Sequence, residues 1–139
     1  MIVNNITHNE IAVISNWEHA NFSHAESYTS SQLENMFNNK DYQIFGAYND
    51  DILCGYLIVH IGDKIDIEKI FVDKNFRKQG IGTMLIKHII NSFSNKKIIL
   101  EVNENNTIAI SFYKALGFKL LTTRKDYYGV NENAIILER

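Results

Sequence analysis

Hydrophobic and polar residues follow helical spacing in the N-terminal part of the chain. The run Thr7-His8-Asn9-Glu10 has the form of a capping box, and Ile11, Ile14 and Phe22 follow it at approximately helical spacing. The run Ser31-Gln32-Leu33-Glu34 has the form of a second capping box and leads into further apolar residues. These patterns predict two short helices.

The pattern then becomes that of β-strands. Residues 43–48 and Ile52–Ile61 are largely apolar runs on either side of Asn49-Asp50-Asp51, which predicts a hairpin that turns at these polar residues. Ile65–Val72 is a third predicted strand. The single cysteine, Cys54, lies within the second run, so we expect a buried and unreactive thiol.

Strands and helices alternate in the C-terminal half. Apolar or partly apolar residues recur at helical spacing from Ile81 onward, namely Met84, Leu85, His88, Ile89 and Phe93. Residues 98–102 form a β-branched run typical of a buried strand. A further helix is defined by Ile108, Phe112 and Leu116 and ends at Gly117. Residues 118–123 and 134–138 then complete the sheet, which predicts an α/β (α+β) domain with a buried central sheet.

The composition is that of one ordinary domain. The 139 residues are 45% hydrophobic and contain no proline, so we expect a single domain over residues 1–139. No apolar run approaches the ~18 residues of a membrane helix, and the first residues lack the regions of a signal peptide. We therefore expect a cytoplasmic protein that does not bind membranes, and we predict no metal site.

Charge is distributed unevenly along the chain. Residues 1–66 hold nine acidic and two basic residues, a net charge of −7, whereas residues 67–139 hold seven acidic and twelve basic residues, a net charge of +5. Two interpretations fit this difference. One is an ordinary solvated surface. The other is a functional division, in which the basic half binds an anionic cofactor and the acidic half binds a cationic acceptor. A nucleic-acid binder would show a more concentrated basic excess, so we expect no nucleic-acid partner.

The run Arg77-Lys78-Gln79-Gly80-Ile81-Gly82 carries the strongest functional signal. It follows a predicted strand and opens a predicted helix. The first N–H groups of a helix have no partner within the helix, and the helix dipole adds a positive field, so such a turn binds phosphate or pyrophosphate. Glycine lets the phosphate approach the backbone closely.

This run resembles the coenzyme A loop of the GNAT N-acetyltransferases. Leu100-Glu101-Val102 and Asn106 also resemble that family. Further matching blocks are Ala109-Ile110-Ser111-Phe112-Tyr113-Lys114-Ala115-Leu116-Gly117-Phe118, Arg124-Lys125-Asp126-Tyr127-Tyr128 and Glu132-Asn133-Ala134-Ile135-Ile136. The last two blocks are most similar to the branch that acetylates protein N-termini, the ribosomal-protein alanine N-acetyltransferases.

The resemblance implies a fold, a co-substrate and an acceptor. The fold would be the GNAT fold, a mixed and splayed sheet of about six to seven strands with about four helices. The co-substrate would be acetyl-CoA, and the acceptor would be the α-amine of a protein N-terminus, such as alanine or serine of a ribosomal protein. A polyamine or small-amine acetyltransferase is one alternative, and a coenzyme A-binding sensor without turnover is another.

Glu101 is the predicted general base. It interrupts the apolar run 98–102, and burial there would raise its pKa toward a useful value. The residues alone are equally consistent with a strand-end glutamate that faces solvent or pairs with a lysine. The resemblance favours the base, because the Leu-Glu-Val block of the family contains the proton acceptor. Glu68, on the neighbouring predicted strand, is the alternative base.

Tyr113 is the predicted general acid. A phenol can donate a proton to a departing thiolate, because both groups have pKa values in the ~8–10 range. A core aromatic residue is the alternative interpretation. Asn106 is expected to cap the helix that carries Tyr113, and the resemblance implies that it also contacts the pantetheine arm.

The remaining predicted contacts with acetyl-CoA, the acetyl donor, are largely made by the backbone. The strand residues Ile70, Phe71 and Val72 would pair with the pantetheine amides as an added strand does, with one N–H, that of Val72, holding the thioester oxygen. Arg77 and Lys78 would neutralise phosphate. The pyrophosphate contacts are assigned to the N–H groups of Lys78, Gln79, Gly80, Ile81, Gly82 and Thr83.

Three positions depart from the pattern of the N-terminal acetyltransferases. Asn103 replaces a usual arginine, Asn105 a usual serine and Asn133 a usual aspartate. The sequence therefore leaves the acceptor open, together with the oligomeric state. Tyr127 and Tyr128 either line the acceptor cleft or pack in the core.

Overall fold

The computed structural model describes residues 1–139, which form one seven-stranded sheet with helices on both faces. The strands are β1 (Ile2–Asn5), β2 (Tyr42–Asn49), β3 (Ile52–Ile61), β4 (Ile65–Val72), β5 (Ile98–Asn103), β6 (Lys119–Gly129) and β7 (Glu132–Glu138). The α-helices are α1 (Ile11–Asn21), α2 (Ser30–Asn38), α3 (Ile81–Ser92) and α4 (Thr107–Ala115). None of these helices has the length and apolar character needed to cross a membrane.

The sheet is mixed, as predicted. Its strand order is β1-β2-β3-β4-β5-β7-β6, and β4 and β5 are the only parallel neighbours. These two strands pair only at their beginnings, where Ile65 lies opposite Ile98 and Asp66 opposite Ile99. Beyond these residues β4 and β5 diverge. The splayed sheet predicted from the sequence is confirmed, and its gap defines the position of the cleft described below.

A β-bulge in β4 changes which backbone groups face this gap. Ile58 of β3 pairs with Lys69, whereas the next residue, Val59, pairs with Ile67, so Glu68 is the extra residue. A bulge resets the alternation of backbone groups along a strand. The alternate residues whose N–H groups face the gap therefore shift by one position along the strand at Glu68.

The sheet separates two hydrophobic clusters, because alternate side chains of a strand point to opposite faces. Leu57 and Val59 of β3 pack in a cluster of 16 buried residues with α3. Tyr56 and Ile58 of the same strand pack in a cluster of nine buried residues with α1 and α2. The predicted burial of Cys54 is confirmed, since it is fully buried in the first cluster.

The predicted hairpin and helix starts are largely confirmed. The β2–β3 turn contains Asp50 and Asp51 at positive φ values of 48° and 67°, as a two-residue hairpin turn of primed type requires. The capping box at Thr7 forms and opens a short 3₁₀ turn before α1. The second capping box was predicted two residues too late: Thr29 caps α2, and its hydroxyl accepts from the Gln32 N–H over 3.1 Å.

Three further details differ from the predictions. The strand β1 was not predicted. The strand predicted over residues 118–123 continues to Gly129, because β6 forms a long exposed ribbon with β7. Ile108 lies at the start of α4 and is 84% exposed, so the buried face of that helix is carried by Tyr113 instead.

Candidate active site

The divergence of β4 and β5 opens a cleft with two adjoining parts. The first part has a volume of about 620 Å³ and is lined by Glu68, Ile70, Glu101, Asn106 and Tyr113, among others. The second part has a volume of about 540 Å³ and adds Asp66, Arg124 and Tyr127. Glu68, Glu101 and Tyr128 line both parts. Both predicted catalytic residues and the alternative base therefore line one cleft.

Glu101 reaches this cleft from β5, but it is not buried as the sequence predicted. Its side chain is 31% exposed and forms an ion pair with Arg124 of β6, with 2.8 Å between Oε1 and Nη1. Side chains of β5 alternate between the core and the cleft, so Glu101 points away from its buried neighbours Leu100 and Val102. The charge in this apolar run is thus accommodated by the cleft and by Arg124.

The carboxyl of Glu68, the alternative base, has a raised pKa. Loss of hydration raises the pKa of the Glu68 carboxyl, and the negative charge of Asp66 raises it further. His60 lowers this pKa, and Glu101 raises it by the smallest contribution of the four. Its side chain still reaches solvent at the cleft. Glu68 is the extra residue of the bulge in β4, and bulges often re-aim a side chain at a site.

Tyr113 is both a core residue and a cleft residue. Its side chain is only 6% exposed, and its ring packs edge to face against Phe112 and Phe118 at centroid distances of 5.0 Å and 5.4 Å. Burial raises the pKa of the Tyr113 phenol to about 12, above the range assumed from the sequence. The phenol therefore remains protonated at neutral pH.

The predicted phosphate loop forms the N-terminus of α3. Gly80 is the N-cap residue with φ of 79°, and no side chain caps the helix, so its first N–H groups have no side-chain partner. A Cβ at Gly80 would have no atom within 4 Å, whereas a Cβ at Gly82 would lie 3.4 Å from Cζ of Phe112 on α4. Gly80 thus leaves open space in front of the helix, and position 82 lies at the contact between α3 and α4.

The open edge of β4 presents two of the three predicted residues. The N–H of Asp73 donates to the carbonyl of Cys54 over 2.8 Å, so this residue faces β3. By alternation, the backbone groups of Ile70 and Val72 face the gap, whereas those of Phe71 face β3. The Phe71 backbone is therefore not on the open edge, contrary to the prediction.

Arg77 and Lys78 lie in the exposed turn between β4 and α3. The Arg77 Nε donates to the carbonyl of Val72 over 3.0 Å, so this side chain folds back over the end of β4. Lys78 has a positive φ of 62°, which shapes the turn before Gly80. Asn106 caps α4 as predicted, and its side chain accepts from the Ala109 N–H over 3.2 Å.

Tyr127 and Tyr128 lie on the exposed strand β6 beside Glu101. They are 52% and 44% exposed, respectively, and both line the second part of the cleft. The Arg124 guanidinium, which pairs with Glu101, lies 5.4 Å from the Tyr127 ring centroid. These tyrosines are cleft residues and not core residues. No group of three or more His, Cys, Asp or Glu side chains is placed to hold a metal ion.

An ion pair beside the cleft was not predicted from the sequence. Glu18 of α1 is fully buried and accepts from Lys69 of β4 over 3.0 Å. A signal was present in the sequence, because Glu18 continues the helical spacing of Ile11 and Ile14. An acidic residue on an apolar helix face indicates a buried partner.

Comparison with known proteins agrees with this geometry. The sequence model of the acetyltransferase (GNAT) family matches residues 11–118. The [ribosomal protein bS18]-alanine N-acetyltransferase of Salmonella typhimurium is 34% identical over 95 residues, which are 63% of this chain and 64% of that protein. The chain therefore matches less than two thirds of the length of this relative.

Solved structures share the fold over nearly the whole chain. The ribosomal-protein-S18-alanine N-acetyltransferase of Escherichia coli superimposes with a TM-score of 0.84 at 23% identity and covers 99% of this chain and 91% of its own. An aminoglycoside 6'-N-acetyltransferase complexed with coenzyme A superimposes with a TM-score of 0.78 at 15% identity, over 100% and 96% of the two chains. Since the family model also matches well over half of the residues, this chain belongs to the acetyltransferase (GNAT) family.

Proposed function

We propose that this protein is an acetyl-CoA-dependent N-acetyltransferase whose acceptor is the α-amine of a protein N-terminus. The observation that carries the proposal is the cleft between β4 and β5. One continuous surface there contains a carboxylate, Glu101, a protonated phenol, Tyr113, and the free backbone edge of Ile70. Membership of the acetyltransferase family gives this arrangement its chemistry.

The donor would bind along the open edge of β4 and the N-terminus of α3. The backbone groups of Ile70 are available to pair with the pantetheine amides, as an added strand pairs with a sheet edge. The Val72 N–H also faces the gap, whereas the Val72 carbonyl accepts from the Arg77 Nε. The uncapped N–H groups from Lys78 to Thr83 suit the pyrophosphate, because they combine unpaired donors with the positive end of the helix dipole. The similar aminoglycoside acetyltransferase is described as complexed with coenzyme A, which supports this choice of donor.

Glu101 would accept the proton of the acceptor ammonium. An N-terminal α-amine has a pKa near 8, so a carboxylate can deprotonate it at neutral pH, directly or through water. Glu101 is favoured because the Leu-Glu-Val block of the family supplies the base, whereas Glu101 and Glu68 both line the two parts of the cleft. Glu68 remains the competing base, and its raised pKa suits the same task.

The transfer step is balanced by these groups. The neutral amine attacks the thioester carbonyl, the C–N bond forms, and the negative charge on oxygen is stabilised by the N–H of Val72. The C–S bond then breaks, and the Tyr113 hydroxyl donates its proton to the thiolate. The second proton that the attacking nitrogen loses returns to the Tyr113 oxygen, directly or through water, and restores the phenol. The products are the acetylated amine and free coenzyme A, and the proton taken up by Glu101 returns to solvent.

Two observations support a protein N-terminus as the acceptor. The Salmonella relative is named for the alanine of ribosomal protein bS18. The second part of the cleft is also acidic, since Asp66, Glu68 and Glu101 face a single cation, Arg124. An acidic cleft suits a basic ribosomal protein, and that acceptor would place the reaction in the cytoplasm. The same charge suits a polyamine, so charge alone does not separate the two acceptors.

Turnover on an alanine-starting peptide and on spermidine would separate them. Both amines would be compared at equal concentration by following the release of the coenzyme A thiol. We expect a higher kcat/KM for the peptide. An equal or higher value for spermidine would assign the enzyme to small amines instead. Tight acetyl-CoA binding without thiol release for any amine would indicate a coenzyme A sensor.

A further inference from the structure

A largely buried ion pair joins α1 to β4 next to the proposed active site. The Glu18 side chain is 0% exposed and the Lys69 side chain 12% exposed, and the ammonium lies 3.0 Å from Glu18 Oε1. Burying two charges is costly unless their remaining hydrogen-bonding positions are filled. The partners that fill these positions therefore indicate what the pair does.

Two of those partners belong to residues 22–29, the segment between α1 and α2, which contains neither helix nor strand. The Lys69 ammonium donates to the backbone carbonyl of Glu26 over 3.0 Å. The backbone N–H of Tyr28 donates to the same Glu18 oxygen over 3.0 Å. Both halves of the ion pair thus hold the backbone of one irregular segment.

Aromatic contacts strengthen the hold on the segment. The Lys69 ammonium lies 3.7 Å from the ring centroid of Phe22 and 5.1 Å from that of Tyr28. A desolvated ammonium over an aromatic ring is a favourable cation–π contact. The second Glu18 oxygen accepts from the Tyr56 hydroxyl, so no polar atom of the cluster is left buried without a partner.

The segment held in this way forms part of the cleft wall. Phe22, Glu26 and Tyr28 line the same 620 Å³ cavity as Tyr113 and Glu101. None of the contacts of the ion pair involves the turn before α3, where the pyrophosphate is proposed to bind. The ion pair therefore contacts one wall of the cleft and makes no contact with the turn proposed to bind the pyrophosphate of acetyl-CoA.

We propose that Glu18 and Lys69 are positioning residues that fix residues 22–29 as the wall of the acceptor site and so set the affinity for the acceptor amine. An apolar pair of similar size would often stabilise the fold as well or better. It would not hold the Glu26 carbonyl and the Tyr28 N–H in place. The acceptor in this inference rests on the proposed function, whereas the anchoring of the segment does not.

The test uses the double variant Glu18→Gln/Lys69→Met. Glutamine can still accept from the Tyr28 N–H, and its amide can donate to the Tyr56 oxygen, so no charge is left buried alone. The variant loses the hydrogen bond to Glu26 and the cation over Phe22. The matched control is Glu138→Gln/Lys64→Met, which removes an exposed ion pair of 2.7 Å outside the cleft.

Amide hydrogen exchange of the free enzyme is the first readout. Loss of a charge-assisted hydrogen bond should speed exchange within residues 22–29 by roughly tenfold or more, while the control exchanges as the wild type. Unchanged exchange in this segment would overturn the anchoring role. The single variant Lys69→Arg retains the charge, so its segment should exchange more slowly than that of the double variant. Equally fast exchange would show that charge does not hold the segment.

Steady-state kinetics are the second readout. We expect KM for the acceptor to rise by about tenfold in the double variant, with the Kd for acetyl-CoA unchanged. Faster exchange with an unchanged acceptor KM would overturn the assignment of the wall to the acceptor site. An equal weakening of acetyl-CoA binding would reveal a general structural role and would overturn it too. If the wild type acetylated no amine, the proposed function would fail, and hydrogen exchange would still decide the anchoring.

Discussion

Glu101 lies where the two parts of the cleft meet, and Arg124 holds its carboxylate at 2.8 Å. The substitution Glu101→Gln keeps the shape of the side chain and removes the base. The rate with a peptide α-amine should fall most near neutral pH, where the ammonium form dominates. It should recover in part as the pH rises through the amine pKa near 8, because the amine then arrives deprotonated. The measurement is the pH profile of kcat/KM.

Glu68→Gln is the matched control for that experiment, because Glu68 lines the same two parts of the cleft. If Glu101 is the base, Glu68→Gln should keep the neutral-pH activity within a small factor of the wild type. The opposite pattern, with Glu101→Gln leaving the profile unaltered and Glu68→Gln removing activity near neutrality, would assign the base to Glu68.

Tyr113 fills core space with its ring and reaches the cleft, so the two roles can be separated by removing one atom. Tyr113→Phe should keep the fold and the affinity for acetyl-CoA and lower kcat by about 10²–10⁴-fold, the usual contribution of general acid catalysis. Since burial raises the phenol pKa to about 12, the ratio of wild-type to variant rates should stay constant over about pH 6–10. A kcat within twofold of the wild type would make Tyr113 a core residue only.

Glu68 also makes the stability of the protein depend on pH. Its pKa is raised in the folded state by lost hydration and by Asp66 and Glu101, so the ionised form is disfavoured on folding. The contribution of Glu68 to the stability of the fold is therefore fully present at pH values below the ordinary glutamate pKa. It is lost as the pH rises through the raised pKa of the folded state. Glu68→Gln should increase the free energy of unfolding at about pH 7, by less than about 1 kcal/mol because the group reaches solvent.

Denaturant unfolding at two pH values checks this sign. At about pH 4 the wild-type carboxyl is largely protonated, so the gain from Glu68→Gln should nearly disappear. A gain of equal size at both pH values would mean that the substitution acts through packing and not through charge.

At the scale of elements, position 82 lies both in the predicted phosphate loop at the start of α3 and at the contact between α3 and α4. Gly82→Val should weaken acetyl-CoA binding, because a branched side chain intrudes on the uncapped start of α3. The same side chain would press on Phe112, whose Cζ would lie 3.4 Å from the new Cβ. Calorimetric titration of acetyl-CoA gives the Kd of the folded variant, and wild-type affinity would contradict the phosphate-binding role.

A second substitution separates the two effects of a side chain at position 82. In Gly82→Val/Phe112→Leu the smaller leucine relieves the pressure on α4. If Gly82→Val acts at the phosphate, the double variant should bind acetyl-CoA as weakly as the single one. Restored affinity would show that the displacement of α4 caused the loss.

The sequence predicted those elements whose signal is local. The hairpin was correct because Asp50 and Asp51 tolerate the positive φ values of a two-residue turn. The α2 cap was misplaced because Thr29 and Ser31 each have a Gln or Glu three residues later, so two capping boxes fit the sequence. β1 escaped prediction because it has four residues, mostly exposed, and forms only by pairing with β2.

The sequence indicated which residues belong to the candidate site, but it did not indicate which side chains form ion pairs with each other. Residues 100–102 indicated a charge in a buried strand, and in the structure Glu101 lines the cleft. Its partner Arg124 lies on β6, and a contact between separate strands leaves no spacing signal in the sequence. The ion pair of Glu18 with Lys69 depends in the same way on tertiary packing.

At the scale of the whole molecule, the acidic cleft does not follow the division of charge along the chain. Asp66 belongs to the acidic N-terminal half, whereas Glu68 and Glu101 belong to the basic C-terminal half. The splay of β4 from β5 brings these three carboxylates to one cleft. Folding therefore concentrates negative charge beside the proposed base, and the net charge of −2 gives no indication of it.

This concentration of charge predicts a dependence of acceptor binding on salt. At 0.1 M salt, where the Debye length is about 10 Å, an alanine-starting peptide with arginine at its next positions should have a KM roughly two- to fivefold lower than one with glutamine there. At 1 M salt the Debye length is about 3 Å, and the difference should largely vanish. The Kd for acetyl-CoA, measured in parallel, reports the separate effect of salt on the donor. A KM difference between the peptides that persists at 1 M salt would mean that the enzyme recognises the arginine by direct contacts and not by the field of the cleft.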